Sequence, residues 1–277
     1  MGLFDQFKKN KTKLDEDSMK YGVALITRDD PKSGISEQYR TIRTNLKFSF
    51  LDPDFKILAV MSALPSEGKS TVSANLAVTW AEEKKRVLLV DADLRRPTVH
   101  RTFKVSNRYG LSNIITSSAS TVDISEMIDK TEVENLDVLT SGPTPPNPAE
   151  LLGSERLSQL LDFLRERYDF IILDAPPVDT VTDGQIVGTR ADGVALVTPQ
   201  GIATKDAVMR AVKLLQRVNA NILGVIMNRF TAQEAGGYYG GYYGGYYGGY
   251  YGNYYGGSYY GTDDSSSRKG SKKRGKK

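Results

Sequence analysis

The chain contains no cysteine, one histidine (His100) and one tryptophan (Trp80) in 277 residues. Without cysteine there is no disulfide framework, no thiolate metal site and no cysteine nucleophile. A lone histidine argues against a multi-histidine metal centre and a serine–histidine triad. No run approaches the roughly 18 apolar residues that a membrane-spanning helix needs; the longest, Ile57–Leu64, reads as a buried strand. Residues 1–20 mix lysines with carboxylates and lack the apolar core of a secretory signal. An excess of positive charge on the body is also missing. The net charge is +4, yet residues 236–277 carry seven basic and two acidic side chains, so the preceding 235 residues sum to −1. The basic character belongs to the C-terminal end, and no nucleic-acid face is expected on the body.

What is present divides at Ala235. Residues 236–261 repeat Gly-Gly-Tyr-Tyr and hold 12 of the 16 tyrosines and 12 of the 26 glycines. With no aliphatic residue, such a segment buries too little to offset its ordering entropy, so residues 236–277 read as a disordered tether with a Ser-rich basic end. Ahead of it, Val/Ile/Leu-rich runs at Ile57–Ser62, Val87–Val90, Phe170–Leu173, Gly193–Thr198 and Ile222–Met227, with Val138–Thr140 as a weaker one, fit strands covered on both faces. Helical patterns fall over Ser70–Lys84, Ser154–Arg167 and Thr204–Asn219, and Ile35–Phe50 reads as an amphipathic helix before the first strand. The alternation predicts an α/β, doubly wound, mostly parallel sheet with helices on both faces. Residues 1–34 read as a flexible segment and 35–235 as the folded domain.

Between the first strand and the next helix lies Ala63-Leu-Pro-Ser-Glu-Gly-Lys-Ser-Thr71. A loop in that place offers free N–H groups and a positive dipole end to phosphate. It nominates Ser66, Glu67, Gly68, Lys69, Ser70 and Thr71 for ATP, with Lys69 on the β/γ-phosphates and the Ser70 hydroxyl on Mg²⁺. Ala63 stands where the strict motif has glycine. Two further strands end in carboxylates, Leu88-Leu-Val-Asp91-Ala-Asp93-Leu-Arg95 and Ile171-Ile-Leu-Asp174-Ala-Pro-Pro177. Carboxylates after strands also serve as helix caps, but three motifs at strand carboxyl ends converge on the crevice where parallel sheets bind ligands.

Asp91-Ala-Asp93-Leu-Arg-Arg-Pro97 resembles the second Walker motif of the bacterial tyrosine kinases, and Asp174-Ala-Pro-Pro resembles their Walker B motif. Asn147-Pro-Ala-Glu-Leu-Leu152 and Glu37-Gln-Tyr-Arg40-Thr-Ile-Arg43 are similar to further segments of that family. The likeness spans about residues 20–230, and the tyrosine-rich end completes it.

The resemblance implies a P-loop kinase related to the partitioning ATPases. It looks like the cytoplasmic subunit of Gram-positive capsule and exopolysaccharide systems, held at the inner membrane face through a membrane-protein activator. Lys69, Asp91, Asp93 and Asp174 would be catalytic, with Asp91 as the base and Ser70, Asp91 and Asp174 around Mg²⁺. Asn228 resembles an adenine-contacting asparagine, with a strand-end cap as the plain alternative. Glu37, Arg40 and Arg43 would close a ring-like homo-oligomer, or else form a local ion pair. Tyr238, Tyr239, Tyr242, Tyr243, Tyr246, Tyr247, Tyr250, Tyr251, Tyr254, Tyr255, Tyr259 and Tyr260 would be the phosphoacceptors. A phosphotyrosine phosphatase and polysaccharide-synthesis enzymes are further implied partners.

Two other classes compete: a partitioning-type ATPase without kinase activity, and a non-catalytic regulator with a self-associating tail. The ATPases usually carry a second lysine five residues before the loop lysine, where this chain has Leu64.

Overall fold

A seven-stranded sheet forms the centre of the computed structural model, which describes residues 16–117 and 124–229. The strands are β1 (Ile57–Ser62), β2 (Val87–Asp91), β3 (Asp129–Lys130), β4 (Leu136–Leu139), β5 (Phe170–Asp174), β6 (Gly193–Pro199) and β7 (Ile222–Asn228). Their order across the sheet is β3-β4-β2-β5-β1-β6-β7. All neighbours pair in parallel except the short edge strand β3, which runs antiparallel to β4. The helices in chain order are α1 (Ile26–Asp29), α2 (Gly34–Ser49), α3 (Lys69–Ala81), α4 (Val99–Thr102), α5 (Leu111–Thr116), α6 (Pro148–Leu152), α7 (Glu155–Arg165), α8 (Asp183–Arg190) and α9 (Lys205–Arg217).

The period-2 alternation of side chains feeds two cores. On one face Ile57, Ala59, Met61, Leu88, Val90, Ile171 and Leu173 meet the leucine stripe of α7 (Leu157, Leu160, Leu161, Leu164) and Ala207, Ala211 and Leu215 of α9. On the other, Leu58, Val60, Val87, Leu89, Phe170 and Ile172 pack against α3, with Tyr39 and Leu46 of α2 layered outside. Helix α3 is buried nearly throughout because it lies between the sheet and α2. Trp80 stacks on Phe170 with centroids 4.2 Å apart, a core role as its place in that helix suggests.

The expected flexible segment 1–34 needs correction for its second half. Residues 16–21 are helical, α1 follows, and Leu25 and Thr27 are buried. Thr27 donates through its N–H (3.1 Å) and hydroxyl (2.9 Å) to the Asn75 side chain, and Asn75 Nδ2 donates to the Ala24 carbonyl at 2.8 Å. A polar residue inside an apolar helix is thus satisfied by the N-terminal segment, which fixes that segment on α3. Residues 1–15 and the tyrosine-rich stretch from 236 lie outside the described residues. Among the described residues no helix is long and apolar enough to cross a membrane.

Candidate active site

The loop after β1 turns through two residues of positive φ, Ser66 (64°) and Gly68 (93°), before α3 begins at Lys69. Glu67 is fully buried, and its Oε2 accepts from the Leu64 N–H at 3.0 Å, bracing the turn from inside. Ser62 closes the base by donating to the Leu64 carbonyl at 2.7 Å. From β7, Asn228 Nδ2 donates to the Glu67 carbonyl at 3.1 Å. A Cβ on Gly68 would stand 2.0 Å from that nitrogen, so position 68 admits no side chain while Asn228 is there.

A cavity of about 220 Å³ opens above this loop, bordered by Ser66, Gly68, Lys69, Ser70, Thr71 and Asp93. Lys69 reaches back under the cavity floor. Its Nζ stands 2.9 Å from Asp93 Oδ2 and 3.6 Å from Asp174 Oδ1, and it donates to Ser70 Oγ at 3.2 Å. Parallel pairing of β2 with β5 sets Asp91 directly beside Asp174. Asp91 Oδ2 accepts the N–H groups of Thr98 and Val99, each at 3.0 Å, where α4 begins. Ser73, one turn into α3, donates to Asp174 Oδ1 at 3.1 Å.

The three carboxyls have different charge environments. Asp91 is pushed well above the usual carboxylate range by burial and by the adjacent Asp174. Asp174 is also raised by burial, which Lys69 only partly counters. Burial works the same way on Asp93, but Lys69 and the N–H groups of Arg95 and Arg96 outweigh it and hold Asp93 low. For Lys69 itself, burial disfavours the ammonium, but Asp174, Asp93 and Asp91 keep it firmly charged.

Two buried oxygens, Asp91 Oδ1 and Asp174 Oδ2, have no hydrogen-bond partner. Orphaned buried acceptors call for an explanation, and a hard cation supplies one. No cluster of three or more His, Cys, Asp or Glu side chains able to hold a metal occurs among the described residues. Mg²⁺ does not require one, since it binds through one or two carboxylates plus waters and substrate phosphates. The donors present therefore fit Mg²⁺.

The structure thus gathers Ser66, Gly68, Lys69, Ser70, Thr71, Asp91, Asp93 and Asp174 at one point, at the carboxyl ends of β1, β2 and β5. It gives Glu67 and Asn228 other surroundings: the Glu67 side chain is turned inward, and the Asn228 amide is engaged from behind the loop. Glu37, Arg40 and Arg43 lie elsewhere, on α2. Arg40 pairs with Glu37 (2.6 Å) and Glu82 (2.8 Å), and Arg43 with Glu83 (3.1 Å) and Glu82 (3.8 Å). Within the chain this is the ion-pair alternative, tying α2 to the end of α3. His100 is half-buried, and burial beside Arg101 lowers its pKa.

Sequence reasoning missed Arg95, whose guanidinium grips the buried Asp183 at the start of α8 (2.8 and 3.1 Å), across 88 residues. It also missed Ser73 and the paired N–H groups on Asp91. A serine one turn after the loop lysine, on the same helix face, was the available signal for Ser73.

A family model described as "ParA: NUBPL iron-transfer P-loop NTPase" matches residues 55–238, so the chain carries the nucleotide-binding P-loop fold. Two relatives decide the branch. The tyrosine-protein kinase YwqD of Bacillus subtilis (strain 168) is 44% identical over 217 residues, covering 78% of this chain and 90% of that protein. The putative tyrosine-protein kinase CapB of Staphylococcus aureus is 40% identical over 215 residues, covering 78% and 93%. The chain belongs to the bacterial tyrosine kinases. Among solved structures, the kinase domain of Escherichia coli ETK superimposes on this tyrosine kinase with a TM-score of 0.70 at 33% identity, covering 78% of this chain and 85% of that one. The chimerical protein CapA2B2 gives 0.69 at 38%, covering 78% and 98%. The Pyrococcus horikoshii septum site-determining protein MinD, complexed with Mg-ADP, is more remote, with a TM-score of 0.55 at 26% identity and 65% and 72% coverage. The iron-transfer wording of the family model finds no thiolate here, since the chain lacks cysteine.

Proposed function

We propose that this kinase moves the γ-phosphoryl of Mg²⁺-bound ATP to tyrosines of its own C-terminal cluster, Tyr238 to Tyr260, in trans within a homo-oligomer. The convergence of the loop, Lys69 and Asp93 on one cavity, with Asp174 and Asp91 buried beside them, carries the reading, in a chain that also holds 12 tyrosines in 26 residues. Phosphoryl transfer asks for positioning and charge stabilisation more than for covalent help. The N–H groups of residues 66–71 and the Lys69 ammonium supply positive charge to the phosphates. Ser70, Asp91 and Asp174 would hold Mg²⁺, which would offset the negative charge that develops on the phosphates.

Asp93 acts through Lys69, which it orients and keeps protonated. A phenol with pKa about 10 must lose its proton, and Asp91 is the carboxylate assigned to take it. Burial and the adjacent Asp174 raise its affinity for a proton, the direction a general base requires. Asn228 contributes from behind the loop, by fixing the Glu67 carbonyl.

Phosphorylating all twelve tail tyrosines would add roughly −18 to −24 charges, against seven basic residues nearby. Reversal of the tail's sign would release a subunit contact. The Glu37–Arg40–Arg43 face of α2 is the proposed contact, with Phe48 and Leu51 exposed beyond it. Arg40→Ala with Arg43→Ala should then sediment as monomer; an unchanged oligomer rejects that contact. A membrane-protein activator, a phosphotyrosine phosphatase and enzymes of capsule or exopolysaccharide synthesis complete the proposed setting, at the inner face of the plasma membrane.

Purified protein incubated with Mg²⁺, ATP and the activator's cytoplasmic segment should acquire tail phosphotyrosine. Lys69→Ala should lower the rate at least about 10²-fold, the loss typical of one preorganised transition-state contact. Free phosphate without phosphotyrosine would point instead to the partitioning-type ATPase.

A further inference from the structure

Four tyrosines lie in the body, and the structure separates them sharply. Tyr39 and Tyr168 are buried, whereas Tyr21 is 66% exposed and Tyr109 54% exposed. Both exposed residues precede glycine, as do tail residues such as Tyr239 and Tyr243, so local sequence does not distinguish them. Position does. Ser18, Met19 and Val23, on either side of Tyr21, form part of the wall of the cavity that holds Lys69 and Asp93. Tyr109 belongs to the loop packed on the end of β4, where the Leu111 N–H donates to Thr140, and is not part of that wall.

The backbone around Tyr21 is tied down on the element that holds Asp91. Gly22 adopts φ +80°, and a Cβ there would come within 2.4 Å of the Thr102 nitrogen. The Val23 N–H donates to Thr102 Oγ1 at 3.0 Å, and Arg101 Nη1 donates to the Lys20 carbonyl at 3.3 Å. Arg101 and Thr102 close α4, whose opening N–H groups grip Asp91. One cation stands beside the ring, Lys20, with Nζ 4.9 Å from the ring centroid, and a second, Arg101, is anchored on the carbonyl of the preceding residue.

We propose that Tyr21 is a phosphoacceptor of this kinase outside the C-terminal cluster. The proposal rests on the autokinase reading and uses its chemistry. The Tyr21 phenolic oxygen bonds to the γ-phosphorus of ATP, and the bond from that phosphorus to the β,γ-bridging oxygen breaks. ADP leaves with the electron pair, and the phenolic proton passes to a site carboxylate. The product carries about −1.5 to −2 charges and strong acceptor oxygens next to Lys20 and Arg101. Charge-assisted bonds to those side chains would clamp residues 18–23 more firmly on α4 and so steady the carboxylate held at its other end.

The test uses the full chain with Mg²⁺, ATP and the activator segment, followed by site-resolved mass spectrometry, with Tyr21→Phe confirming the peptide assignment. The expected result is phosphate on the tail and on Tyr21, with Tyr21 occupancy exceeding that of Tyr109 by at least an order of magnitude. Tail phosphorylation with Tyr21 bare overturns the proposal, as does equal occupancy of Tyr109, which would mean indiscriminate surface modification. Phosphate on Tyr21 with a bare tail upholds this site and instead removes the tail as substrate. Phosphate on neither refutes both.

Discussion

The two ends of the sheet use the same residue types to opposite effect. At the amino end each carboxylate is answered by donors. Asp192 accepts from the N–H groups of Lys56 (2.8 Å) and Ile57 (2.7 Å) and from Arg165 (2.9 Å). Burial would raise its pKa, but Arg165 and those N–H groups bring it below the usual value. Asp169, paired with Arg86 at 2.8 Å, is drawn down to about 2 by that guanidinium. Asp137 takes Lys130 at 2.7 Å and the Tyr168 hydroxyl at 2.8 Å. At the carboxyl end Asp91 and Asp174 are buried side by side with one oxygen each left without a donor, and both are raised. One end is tuned for the folded state. The other stores unfavourable electrostatics, the signature of a site completed by something outside the chain.

The sharpest way to break this contrast is Asp91→Asn. It keeps an acceptor for Thr98 and Val99 but removes a charge from the crowded pair. Tyrosine phosphorylation should fall by about 10²–10⁴-fold, the usual contribution of a general base, while the fold gains about 0.5–2 kcal/mol against denaturant. A less stable variant, or an undiminished rate, ends the argument. The mirror experiment is Asp192→Ala. It strands donors at the start of β1 and should cost about 1–3 kcal/mol while the turnover of folded molecules stays unchanged in kinetic assay.

A smaller effect lies in pH dependence. Asp91 binds its proton more tightly folded than unfolded, so its contribution to stability is whole at acid pH. That contribution is lost as pH rises from the usual 3.8 through the raised folded value. Asp192 has the opposite sign, its contribution being lost as pH falls through its lowered value. The proposed Mg²⁺ site needs the pair deprotonated, so in calorimetry thermal stabilisation by Mg²⁺ should be greater at about pH 8 than at about pH 5. An equal shift at both would mean that the carboxylates are not its ligands.

Much of this was legible in the sequence because it is local. The apolar runs gave β1 to the residue, and β2, β5 and β6 to within a residue at their carboxyl ends, since a strand buried on both faces must be apolar throughout; β7 was found as closely, but as an edge strand it leaves Val225 and Met227 exposed and is not covered on both faces as expected. Helices α2, α7 and α9 carry full turns of periodicity, whereas α3, buried nearly throughout, has length but no polar face. By contrast α4, α5, α6 and α8 are too short, at 8 residues or fewer, for a period to emerge. The two residues of β3, Asp129 and Lys130, carry no strand pattern at all. In the site, the motifs named the loop and the three carboxylates. Their partners were hidden because they come from afar: Asp183 for Arg95, Asn228 for the back of the loop, and Thr27 for Asn75. Each partnership depends on which strands and helices become neighbours, and hydropathy does not encode that order.

The lone indole adds an optical consequence. Trp80 lies flat on Phe170, and Phe50 and Phe55 extend the aromatic column toward the segment between α2 and β1. The P-loop opens the helix that this ring all but closes. Excitation near the red edge of protein absorbance therefore interrogates a single address, the distal anchor of that helix. Any rearrangement there on loading nucleotide would reach a fluorimeter unmixed with indole signals from elsewhere, with no label attached and no residue exchanged.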